Sequence, residues 1–78
     1  MKKYNNIDEI ADDVILYIQS LCKMSNIDFY QYRKDLSDST IESCTNTILL
    51  KNDLLKISPI TKHILIQEVK FRLTLNLD

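Results

Sequence analysis

The sequence predicts an all-α domain, a small bundle of three to four helices, and three observations carry that prediction. The chain has 78 residues with no glycine and a single proline, Pro59. Glycine is the usual occupant of positive-φ positions in tight hairpins, bulges and phosphate-cradling loops, so helices joined by polar turns are the easiest architecture to build without it. Apolar residues recur at steps of three and four over much of the chain, the period of a helix with one buried side. Helix-start signals stand ahead of the periodic stretches. No linker, repeat or low-complexity tract divides the chain, which reads as a single helical domain over residues 1–78.

The first helix is expected over residues 7–24. Asn6 can cap it and Glu9 follows three residues later, as in a capping box. Ile7, Ala11, Val14, Ile18 and Leu21 share a face that Ile10, Tyr17 and Met24 extend. Asp8, Glu9, Asp12 and Asp13 near its start and Lys23 near its end suit the helix dipole. Leu16 falls on the opposite, polar side.

Residues 25–36 read in two ways. Ile27 and Phe29 alternate with Asp28 and Tyr30 as in a short strand, and a brief helix from Ile27 to Lys34 capped by Asn26 reads equally well. Tyr30, Tyr32 and Arg33 either cover the end of the core or form a partner contact, since tyrosine and arginine are enriched at binding hot spots. A third element opens at Ser39-Thr40-Ile41-Glu42, a second capping box, with Ile41, Cys44, Ile48 and Leu49 at helical spacing. Lys51-Asn52-Asp53 marks its end or a kink, and Leu54, Leu55 and Ile57 are apolar anchors after it.

Ser58-Pro59 starts the last element, serine as cap and proline at the first helical position. From Val69 onward, apolar Val69, Phe71, Leu73, Leu75 and Leu77 alternate with polar residues, the period of a strand. A minority reading is therefore α+β, with a C-terminal strand at residues 67–77. Drawn as a helix, the segment places Ile60, Ile64, Phe71 and Leu75 on one side and Leu65, Val69, Leu73 and Leu77 on the other. The abundance of leucine over β-branched residues favours the helix. A helix apolar on two sides must be sandwiched.

Composition narrows the function classes. Net charge is −1, so no overall field draws polyanions. Without glycine neither a P-loop nor a dinucleotide fingerprint can be written. Cys22 and Cys44, the only cysteines, sit among apolar neighbours and read as small buried hydrophobes. His63 is the only histidine and reads as a surface residue, and the cysteines and histidine lack paired metal-ligand spacing. No enzyme constellation is visible, and no metal or cofactor is expected. No signal-peptide pattern or membrane-length apolar run occurs, so a cytoplasmic location is expected.

Two functional readings follow. The first is a small non-enzymatic regulator or adaptor acting through protein–protein contacts. It is expected to form a homodimer that buries Leu65, Val69, Leu73 and Leu77, with Tyr30, Tyr32 and Arg33 as rim or anchor residues. The second is nucleic-acid binding. Leu55-Lys56-Ile57-Ser58-Pro59-Ile60-Thr61 resembles the turn and start of a recognition helix in helix-turn-helix regulators. That resemblance implies that Thr61, Lys62, Gln67 and Lys70 would face DNA, and Ile60, Ile64 and Val69 the core.

Overall fold

The computed structural model describes residues 6–54 and 56–75. The described residues form four helices and no strand: α1 (Ile7–Met24), α2 (Phe29–Tyr32), α3 (Asp38–Lys51) and α4 (Pro59–Thr74). Leu55 and Leu77, expected as an anchor and an interface residue, lie outside the described residues.

Each helix start is closed by a side chain. The Glu9 N–H donates to Asn6 Oδ1 at 3.1 Å ahead of α1, and the Thr61 N–H donates to Ser58 Oγ at 3.1 Å ahead of α4, as the sequence predicts. The α3 cap is Ser37 rather than Ser39, with the Thr40 N–H donating to Ser37 Oγ at 3.2 Å. Both serines have an acceptor in reach of a helix start. Starting two residues earlier adds Asp38 to the first turn, where a carboxylate favours the dipole. In residues 25–36 the short helix wins over the strand, capped by Asp28, whose Oδ1 accepts the Tyr30 N–H at 3.1 Å, and not by Asn26.

Asn26 instead ends α1. It has φ 57°, and Asp53 beyond α3 has φ 59°. Around each, two backbone bonds close the helix end in the same pattern. Ile27 N–H donates to Cys22 O at 2.8 Å and Asn26 N–H to Lys23 O at 3.3 Å. Leu54 N–H donates to Leu49 O at 2.7 Å and Asp53 N–H to Leu50 O at 3.2 Å. These are Schellman closures, whose left-handed position glycine usually fills. Here asparagine and aspartate hold it, the residues next best able to tolerate that region.

The three long helices form an up-down-up bundle. Lys70 pairs with Asp38 at 3.0 Å and Lys62 with Glu42 at 3.9 Å, so α4 runs antiparallel to α3. Ile7 and Asp8 border Ile64, and Ile15 and Leu16 border Phe71, so α4 runs parallel to α1. The core takes Ile10, Ala11, Val14, Ile18 and Cys22 from α1, Ile41, Cys44, Ile48 and Leu49 from α3, and Leu65, Val69 and Leu73 from α4. Cys22 enters it as expected, whereas Leu21 and Met24, expected on the apolar face, stay exposed near the end of α1. Buried Thr45 donates to Ile41 O at 2.8 Å, and buried Asn52 donates to Ile48 O at 2.9 Å, so both polar side chains are satisfied within their own helix.

The period-two alternation of the last segment resolves into two helical stripes. Val69 and Leu73 continue the buried one with Leu65, and Phe71 and Leu75 continue the exposed one with Ile60 and Ile64. The strand reading of residues 67–77 is thereby replaced by helix as far as Thr74. The expected interface face is corrected too: Leu65, Val69 and Leu73 are 0%, 0% and 3% exposed within one copy. The flanking charges fit this rotation. Lys62 and Lys70 reach α3 on one flank and Arg72 reaches Asp8 at 3.0 Å on α1 on the other, and between those flanks lies the Leu65–Val69–Leu73 stripe.

Candidate functional site

Turning that stripe inward leaves the second one in solvent. Ile60 is 74% exposed, Ile64 49%, Phe71 59% and Leu75 44%. Four large apolar side chains share one side of α4 as two pairs flanking Gln67 and Glu68, and apolar groups gathered on one side of a helix mark contact sites more than scattered exposure does.

Beside the C-terminal half of this stripe, α1, α2 and α4 enclose an open groove of about 860 Å³. Phe71 and Leu75 form one wall, Ile15 and exposed Leu16 the other, and Phe29 and Tyr30 close one end. Tyr30 is exposed, its ring edge-on to Phe29 with centroids 5.7 Å apart, and the Arg33 guanidinium lies 5.0 Å from its ring centre. Arg33 also donates to Leu75 O at 3.0 Å, placing a cation on the C-terminal carbonyls of α4 where the dipole favours it. Tyr30 and Arg33 therefore meet the apolar stripe at its end. Tyr32 does not: it is half-buried and packs on the core.

Arg72 forms the floor of the groove on the polar side. Its guanidinium pairs with Asp8 and Asp12 on α1, donates to the Asp8 carbonyl at 3.2 Å, and lies 3.9 Å from Glu68. Asp8 and Asp12, which suit the dipole at the start of α1, also form half of an inter-helix clamp while their side chains stay largely exposed. It holds α1 and α4 side by side and sets the groove width.

The residues singled out for nucleic acid are not gathered on one surface. At 100° per residue, Thr61 and Lys70 stand on opposite sides of α4. Lys62 and Lys70 are engaged by Glu42 and Asp38. Ile60 and Ile64, which that reading turns inward, are exposed, and only Val69 is buried.

His63 is exposed on α4. Cys22 and Cys44 are buried free thiols. Burial pushes both up from their ordinary value of 9.0, with the Asp28 charge adding to the effect at Cys22 and Cys22 adding to it at Cys44. Thiols so held are weak nucleophiles. Among the described residues no three His, Cys, Asp or Glu side chains converge on a metal position, and no helix is long and apolar enough to cross a membrane.

Sequence reasoning found both stripes of α4 and assigned the partner contact to the one that the bundle buries. The groove walls at Leu16 and Phe29 carried only one sequence signal, a lone leucine on a polar face. Compared with protein-family models, curated proteins and solved structures, the chain matches none.

Proposed function

We propose that this protein is a small non-enzymatic contact module of the regulatory or adaptor kind, which works by burying the exposed flank of α4 against another polypeptide, a second copy of itself first. One observation carries this reading: Ile60, Ile64, Phe71 and Leu75 stay in solvent after the bundle has closed its own core. Their burial on a partner supplies hydrophobic free energy at roughly 25 cal/mol per Å². Tyr30 and Arg33 at the groove end add the residue types that anchor interfaces. A cytoplasmic setting belongs to the proposal, since the two thilos of the core are then kept reduced.

The test is mass against concentration. Sedimentation equilibrium between 1 and 100 µM should show a rise from one chain of 9.2 kDa toward two. Phe71→Glu should return the mass to one chain while leaving the helical circular dichroism intact. A single-chain mass across the whole range overturns self-association, and an unchanged dimer in Phe71→Glu overturns the choice of surface.

A further inference from the structure

The exposed stripe has an internal symmetry. Its positions 60, 64, 71 and 75 are spaced four, seven and four, which reads the same from either end, about a midpoint between Gln67 and Glu68. A two-fold dimer needs a surface that is complementary to itself, with residue i meeting j and j meeting i. A palindromic stripe meets that condition when two copies of the helix lie antiparallel. We infer that a second copy docks on this one through α4 against α4, antiparallel, with the two-fold axis passing between Gln67 and Glu68. The inference rests on the contact reading above and adds to it the orientation and the register.

In that register Ile60 faces the partner's Leu75, and Ile64 faces the partner's Phe71. Ile60 is the most exposed member of the stripe, Ile64 borders a hollow with Ile7 and Asp8, and Phe71 and Leu75 border the larger groove with Leu16. Antiparallel docking seats each Ile60 at the other copy's groove, twice over. Parallel docking sets Ile60 against Ile60 and aligns the two α4 dipoles unfavourably. At the axis each Gln67 meets its own copy, and an amide both donates and accepts. Each Glu68 arrives with Arg72 at 3.9 Å to offset its charge.

The area is sufficient. Side chains of this size expose on the order of 200 Å² each when free, so the observed exposures leave roughly 450 Å² of apolar stripe per copy. Interfaces are about 60% apolar, so covering the stripe implies roughly 1,500 Å² buried over both copies. Stable specific pairs bury about 1,200–2,000 Å².

Engineered cysteines read the register. Cys22 and Cys44 are enclosed and their thiols pushed up by burial, so exposed new thiols oxidise first. Gln67→Cys should cross-link to itself under mild oxidation. Ile60→Cys alone should not, because the two copies of residue 60 stand about 22 Å apart, far beyond disulfide reach. An equal mixture of Ile60→Cys and Leu75→Cys should give the mixed dimer at least ten times faster than Ile60→Cys alone. Self-linking of Ile60→Cys as fast as Gln67→Cys overturns the antiparallel register while leaving self-association standing. A dimeric mass with no cross-link at any of the three positions overturns both the register and the α4 surface. A monomeric mass at 100 µM overturns the contact reading and this inference with it.

Discussion

Replacing Leu65 and Phe71 by alanine, one at a time, tests which side of α4 faces the core. Leu65 is wholly enclosed. Leu65→Ala removes three carbons, about 2.4 kcal/mol at 0.8 kcal/mol per buried methylene. The cavity left behind adds to this at about 24 cal/mol per Å³, and the small gain in helix propensity subtracts a few tenths. The net loss is about 3 kcal/mol. A chain of this size has a total stability of roughly 4–12 kcal/mol, so the change is a large share of it. At about 4–8 °C per kcal/mol the melting temperature falls by roughly 12–24 °C. Phe71 is more than half exposed in one copy. Its truncation forfeits about 1 kcal/mol of partial burial and regains up to half of that in helix propensity. Urea unfolding followed at 222 nm, at low micromolar concentration so that association does not contribute, measures both. Equal losses, or a larger loss for Phe71→Ala, would refute the assignment of faces.

Four further outcomes follow from the helix ends, the clamp and the thiols. Asp53→Gly should stabilise the protein by about 1 kcal/mol, relieving the left-handed strain and removing an anion from the α3 C-terminus, less the extra freedom of glycine in the unfolded chain; a lower urea midpoint would contradict the closure described. Ser37→Ala should lose about 1 kcal/mol and Ser39→Ala almost nothing, and the reverse order would restore Ser39 as the cap. Arg72→Met should lose about 1 kcal/mol at low salt and distinctly less in 1 M NaCl, because its partners are largely solvent-exposed; salt-independence would show that Arg72 acts by packing alone. Burial raises the Cys22 and Cys44 thiols above 9.0, so above about that pH the unfolded chain releases protons that the folded chain keeps. Stability is then full below pH 9 and declines as pH rises beyond it. The decline should be shallower in a Cys22→Ala/Cys44→Ala variant, and an identical slope would exclude the thiols as its source.

The helical class, the bounds of α1 and the Ser58 start of α4 were legible because each rests on local chemistry. Asn6 and Ser58 find their acceptor roles within three residues. The rotation of α4 was not legible, since its two apolar stripes are of equal quality when read alone. The contacts that accompany it, Arg72 with Asp8 and Lys70 with Asp38, join residues separated by 64 and 32 positions in the chain. The groove was hidden for the same reason, since Leu16, Tyr30 and Phe71 come together only when three helices meet. The absence of glycine pointed correctly to helices. It did not abolish positive φ, because Asn26 and Asp53 supply it.

Because α1 and α4 point the same way, Asn6 opens one of the two helices and Leu75 closes the other toward the opposite end of the pair. A stretching force applied through those two residues therefore runs lengthwise along every helix contact. The helices must slide past one another together before any one can peel away, so a bundle of only modest equilibrium stability would yield late and all at once when pulled through those residues.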